Sequence, residues 1–213
     1  MDFLPENIET YIADHTEKES DLLQQLNHET WEKVLNPRML SGHVQGRVLS
    51  MLSKMVAPTN ILEIGTYTGY STLCFAEGLG EGGQIDTIDI NEELQPIVNK
   101  YFSMSEYKDH ITTHIGNAID IIPTLDKKYD LVFIDADKVN YSNYYDLVLD
   151  KINKGGYIIA DNVLWSGKVA QPVEENDIDT QAIIAFNTKI QLDKRVENVL
   201  FPVRDGLMLI RKL

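Results

Sequence analysis

One cysteine, Cys74, occurs in the 213 residues, so no intrachain disulfide can form and no thiolate cage for a metal is available. Its setting, STLCFAEGL, reads as helix, where a free thiol behaves as a small buried hydrophobe. Positive charge is scarce: 19 Lys and Arg stand against 33 Asp and Glu, a formal net charge of −14. That field repels phosphate backbones, and the basic residues are scattered, so nucleic acid is not an expected partner. No stretch approaches the ~18 apolar residues of a membrane-spanning helix. The N-terminal MDFLPENIETYIADH has no basic region followed by an apolar run, which argues against a secretory signal. A soluble, reduced, cytoplasmic setting without a membrane partner is expected. Repeats and low-complexity tracts are also missing. What is present is 43% hydrophobic, enough for the core of one domain.

The pattern changes once along the chain. Residues 1–57 read as N-terminal helices. EKESDLLQQLNHETWEKVL (17–35) is amphipathic, and a second helix beginning near Ser41 carries Val44, Val48, Leu52 and Met55 as its apolar stripe up to Pro58. Residues 58–213 alternate β-runs and helices. NILEIG, QIDTIDI, ITTHIG, YDLVFIDAD and GGYIIADN are the β-runs. The intervening helices include NEELQPIVNKYFSM, capped by Asn91, and NYSNYYDLVLDKI, running to a stop at Gly155–Gly156. A helix at 179–192 with Asp179 as cap precedes RVENVLFPV and GLMLIRKL, joined around Asp205–Gly206 as a hairpin. The fold class is therefore α/β: a doubly wound, mostly parallel sheet with an antiparallel C-terminal hairpin.

In such sheets ligands sit beyond the carboxyl ends of the strands. The first loop, in ILEIGTYTGYS, has neither the G-x-G-x-x-G spacing for pyrophosphate nor the Lys-Ser/Thr of a P-loop. It is E-x-G-x-x-x-G, with Glu63 just before Gly65. Glycine allows close backbone approach, and the acid suits a cationic or hydroxyl-bearing ligand rather than phosphate. Asp89 ends the next β-run, about 20 residues on, where an acid accepts ribose hydroxyls. Gly116-Asn117-Ala118 offers a small-residue turn for an adenine ring. Ribose, adenine and a zwitterionic tail together describe S-adenosylmethionine. The plainer alternatives are a turn-bracing acid at Glu63 and a helix cap at Asp89.

Two later β-runs end in acids beside other polar residues: Asp135 and Asp137 with Lys138 after one, Asp161 with Asn162 after the other. Consecutive strands usually pair, ~4.8 Å apart, which would aim two carboxylates and an amide oxygen at one point. Hard oxygen donors without His or Cys suit Mg²⁺ first, with Ca²⁺ or Mn²⁺ as alternatives. The alternative is a pair of exposed turn formers. His43 and His110 are not assigned to the metal. Trp165 either walls an acceptor pocket or packs, and the tyrosines of NYSNYYDL read as packing residues.

These residues carry a resemblance. RMLSGHVQGRVLSML, LEIGTYTGYST, FIDADK, DNVLWSGKV and VRDGLMLIRK resemble the cation-dependent O-methyltransferases of the catechol and caffeoyl-CoA type, from about Arg38 onward. The resemblance implies a Rossmann-like methyltransferase fold, a seven-stranded sheet whose last strand is antiparallel. It implies that Asp135, Asp161 and Asn162 hold the divalent ion and that Met39, Ser41, Glu63, Gly65, Tyr67, Ser71, Asp89, Ala118 and Asp135 meet the cofactor. Lys138 matches the lysine that serves as base or orienting charge, and Asp135 joins it as a catalytic position. A phenolic small-molecule acceptor and a homodimer are the family expectations. The rivals are an NAD-dependent oxidoreductase, which lacks its glycine motif here, a non-catalytic nucleotide-binding protein, and a methyltransferase of this fold with a non-catechol acceptor.

Overall fold

The computed structural model describes residues 4–213, so the first three residues of the N-terminal segment lie outside the described part. Strands form where β-branched and aromatic residues run together: β1 (Asn60–Ile64), β2 (Gln84–Asp89), β3 (Ile111–Ile115), β4 (Tyr129–Ile134), β5 (Ile152–Ala160), β6 (Val196–Phe201) and β7 (Leu207–Lys212). They make one seven-stranded sheet in the order β3-β2-β1-β4-β5-β7-β6. β1 to β5 pair in parallel, and β7 runs antiparallel to both β5 and β6. The doubly wound sheet with an antiparallel hairpin is thus the architecture that forms.

The helices are α1 (Glu6–Asp14), α2 (Asp21–Lys33), α3 (Gly42–Val56), α4 (Tyr70–Ala76), α5 (Gln95–Met104), α6 (Ala118–Ile121), α7 (Tyr141–Leu149) and α8 (Ile178–Leu192). Strand alternation sorts the core into two layers. Leu62, Ile64, Val132, Ile134 and Ile158 pack with side chains of α7 and α8. Ile61, Leu131, Phe133 and Ile159 pack beneath α2, α3, α4 and α5. Among the described residues no helix is long and apolar enough to cross a membrane.

Several local expectations need correction. Helix α3 only half-buries Val44, Val48 and Leu52, the last two against the core, and leaves Met55 75% exposed; its buried positions are Gln45, Gly46, Leu49, Ser50 and Ser53. The reason is that α3 docks on α4 by hydrogen bonds and close approach. Ser53 Oγ donates to the Phe75 carbonyl and Ser50 Oγ to Glu77, each at 2.7 Å, and Arg47 grips Glu77 with two bonds of 2.8 Å. A Cβ at Gly46 would meet the Tyr70 ring at 2.7 Å, so only glycine admits this contact. Helix α2 starts later than expected, at a cap in which Ser20 accepts from the Leu23 amide. Helix α7 ends at Leu149, and Gly155–Gly156 lie inside β5, where the register with β4 shifts between Tyr129 and Leu131. The glycines serve a bulge, with Gly155 at φ +82°, rather than a helix stop.

Helix α8 is capped by Asp177, not Asp179: Asp177 accepts from the Thr180 amide, and its other oxygen pairs with Lys168. We predict that Asp177→Ala lowers the melting temperature while Asp179→Ala leaves it unchanged. Equal effects in thermal denaturation would contradict this cap assignment.

Candidate active site

The sheet order reverses between β1 and β4, and the candidate residues collect at the carboxyl ends of β1, β2, β4 and β5 around that point. Three strands end in step. The Asp135 amide donates to the Ile64 carbonyl at 2.9 Å, and the Asp161 amide to the Ile134 carbonyl at 3.0 Å. Asp135 and Asp161 are therefore the first residues past the paired Ile134 and Ala160. Gly65 completes the junction. Its φ is +107°, and a Cβ there would stand 1.9 Å from the Asp135 carbonyl oxygen, so no other residue fits.

Lys138 lies at the centre of the acidic cluster and is 8% exposed. Its Nζ donates to Tyr141 Oη at 2.6 Å, Asn162 Oδ1 at 2.9 Å and Asp135 Oδ1 at 3.1 Å. Trp165 faces it, with Nζ 5.6 Å from the ring centroid. Asp161 is buried; its Oδ1 accepts from the Asn162 amide at 2.6 Å and its Oδ2 from Gln45 Nε2. Burial pushes the Asp161 carboxyl up, the charge of Asp135 pushes it further, and Gln45, Lys138 and the Asn162 amide pull the other way. One ammonium thus sits among two carboxylates, one of them deeply buried, and the cluster is short of positive charge.

That donor set fits a hard divalent cation: Asp135, Asp161 and the amide oxygen of Asn162 are hard oxygen donors, and Lys138 already bridges Asp135 and Asn162 as a cation. Among the described residues no group of three or more His, Cys, Asp or Glu gathers, so the amide is an essential part of the set. Asn162 holds a left-handed φ of 58°, which asparagine tolerates better than most residues.

The second half of the site lies over β1 and β2. Tyr67, at φ 50°, donates its amide to Asp89 Oδ2 at 2.6 Å, and the Asn91 amide donates to Oδ1 at 2.8 Å. Asp89 is half-buried with lone pairs to spare, beside a crevice lined by Tyr67, Asn91, Gln95 and Ile115. Ala118 is buried at the start of α6, behind Asn117, which caps that helix. Met39, exposed, and Ser41, buried, flank the turn into α3. Glu63 and Ser71 lie a layer lower. Glu63 is fully buried on the α4 side of β1; Ser71 and Thr87 each donate to it at 2.6 Å, and Thr72 donates as well. Its carboxyl braces the loop from beneath instead of standing open beside it.

Two residues near the cluster were not singled out by sequence. Gln45 is one, because a glutamine in a helix carries no signal until its partner is known. Tyr141 is the other, and corrects the reading of the NYSNYYDL tyrosines as packing alone. Its hydroxyl accepts from Lys138 and donates to the Asp161 carbonyl at 2.9 Å. The plainer readings hold for Cys74, which is buried, and for His43 and His110, which bond the Glu17 and Gly83 carbonyls.

Comparison with known proteins adds an independent line. Residues 13–213 match the family described as O-methyltransferase. A probable caffeoyl-CoA O-methyltransferase 2 of Dictyostelium discoideum is 34% identical over 97% of this chain and 92% of its own length. The O-methyltransferase from Bacillus cereus, solved in complex with SAH, superposes with a TM-score of 0.90 at 28% identity, covering 97% of each chain. An SAH-bound methyltransferase from Podospora anserina has the same TM-score, 0.90, at 25% identity over 100% of this chain and 99% of that one.

Burial raises the Glu63 carboxyl from 4.5 to about 7 against the pull of its hydroxyl donors. The neutral acid is favoured in the folded state, so this group's contribution to stability is complete below the unfolded value and is lost as pH rises to the folded one. Relative to the unmodified chain, Glu63→Gln should gain about 3 kcal/mol between pH 4.5 and about 7, with no further gain above. Urea denaturation at several pH values measures it, and a pH-independent difference would refute the buried-acid account.

Proposed function

The chain belongs to the O-methyltransferase family, and from that footing we propose that it transfers the methyl group of S-adenosylmethionine to one hydroxyl of a small vicinal diphenol, assisted by a divalent cation. The observation that carries this reading is the cluster at the ends of β4 and β5, where Lys138 joins Asp135 to Asn162 and the buried Asp161 precedes Asn162 and holds its amide. That cluster adjoins the glycine loop of β1.

The cofactor half would be held by backbone and acid. Asp89 receives the ribose hydroxyls, Gly65 lets the main chain approach, Ala118 lies beside the adenine, and Met39 and Ser41 form the rim. Glu63 acts through Ser71 and the loop it supports. Related methyltransferases solved with SAH support a cofactor of this class.

A phenol has a pKa of ~10 and is mostly protonated at neutral pH, so catalysis must supply an oxyanion and align it. Asp135, Asp161 and Asn162 would hold Mg²⁺, or Ca²⁺ or Mn²⁺ in its place, which when bound supplies the positive charge that favours phenolate. Lys138 directs the acceptor: as an ammonium it orients the oxygen, and as a free amine it takes the hydroxyl proton. Tyr141 and Asn162 fix the Nζ position, and Trp165 walls the acceptor. As the sulfonium–methyl bond breaks, the new oxygen–methyl bond forms and the sulfur keeps the electron pair, leaving SAH.

Chelation with EDTA should abolish methylation of a 3,4-dihydroxyphenyl compound, and added Mg²⁺ should restore it. Asp161→Ala should reduce turnover at least about 100-fold, while calorimetry shows SAH affinity within about threefold of the unmodified chain. Full activity in the variant, or in EDTA, would reject the metal assignment.

A further inference from the structure

The segment from Asn162 to Gly167 carries an unusual load of backbone strain. Asn162, Trp165, Ser166 and Gly167 have φ of 58°, 47°, 54° and 78°. Left-handed conformations at non-glycine residues persist only where the surroundings over-determine them. Here the surroundings are the turn between β6 and β7. The Val163 amide donates to the Gly206 carbonyl at 3.1 Å, the Leu164 amide to the Asp205 carbonyl at 2.9 Å, and the Ser166 amide to Asp205 Oδ1 at 2.6 Å. Close packing adds to this, since a Cβ at Gly206 would meet Leu164 Cγ at 2.6 Å.

The neighbouring residue reaches the other way. Arg204, itself at φ 46°, donates Nη1 to the Leu40 carbonyl at 2.9 Å and also to the Ser41 carbonyl. Those carbonyls lie just before α3, the helix whose Gln45 bonds Asp161. One short turn therefore holds two stretches that are remote from each other in sequence.

We propose that the β6–β7 turn is a clasp that sets the spacing of the two rims: Asp205 positions the acceptor wall bearing Trp165, and Arg204 positions the cofactor rim at Leu40–Ser41. Both are positioning residues and neither touches the reacting atoms. The assignment of the rims to acceptor and cofactor rests on the function proposed above; the mechanical linkage rests on the bonds alone.

The test uses a Trp31→Phe background, which leaves Trp165 as the sole tryptophan. In it, Asp205→Ala should increase acrylamide quenching of Trp165 about twofold and raise the acceptor KM about tenfold, with kcat changed less and SAH affinity unchanged. Asp205→Asn keeps an oxygen acceptor for the Ser166 amide and should restore both values. Arg204→Ala should weaken SAH binding about tenfold by calorimetry without altering Trp165 quenching. Unchanged quenching in Asp205→Ala, no rescue by Asp205→Asn, or identical effects of the Arg204 and Asp205 variants would overturn the clasp. Failure of the unmodified chain to bind SAH or methylate any diphenol would instead overturn the functional reading, while the quenching contrast decides the linkage by itself.

Discussion

The site depends on strand ends that finish level. The amides of Asp135 and Asp161 continue the hydrogen-bond ladder by one step past β4 and β5, and that step aligns two acids side by side. Such a pairing opposes folding electrostatically, because like charges brought together and partly buried repel. The protein meets this with the Lys138 side chain, an amide donor from Gln45 and backbone donors, yet burial and the charge of Asp135 still push the Asp161 carboxyl up. An arrangement of this kind is costly for a structural protein and useful for one that recruits a cation.

The same junction explains why the cofactor loop is built as it is. Gly65 must lie against the Asp135 carbonyl, so the first loop and the acids at the ends of β4 and β5 share a wall of main chain. Glu63, directly before it, is occupied with holding Ser71, Thr72 and Thr87. The acid therefore fixes where the loop begins, and the shape above it follows from backbone. On that side the shape is set by main chain and by Asp89, which ties down the Tyr67 and Asn91 amides. The side that faces Lys138, by contrast, is carried by Trp165 and a strained loop.

Much of this was legible in the sequence because it was written in local patterns. Alternating β-runs and helices gave the sheet, the Asp-Gly turn gave the hairpin, and acids at successive strand ends marked the catalytic face. The features that escaped were those decided by partners far away in the chain. The stripe Val44–Val48–Leu52–Met55 has helical spacing, yet α3 turns its small and polar face inward because Glu77 and the Phe75 carbonyl offer bonds there. Gln45 and Tyr141 gain their roles only from Asp161 and Lys138. Gly155–Gly156 follow a helix and resemble its stop, but β5 had already begun. In each case a nearby rule was sound and a tertiary contact outweighed it.

The position of β7 has a consequence for biosynthesis. It comes last in chain order among the strands but lies between β5 and β6, so the β5 edge has no mate until residues 207–212 have been made. During translation the parallel half can assemble early while the backbone donors and acceptors on the outer edge of β5 stay unpaired. The turn that joins the rims is also delivered late. A nascent chain would thus carry an open strand edge until β7 docks, and such an edge is a template for pairing with a neighbouring chain.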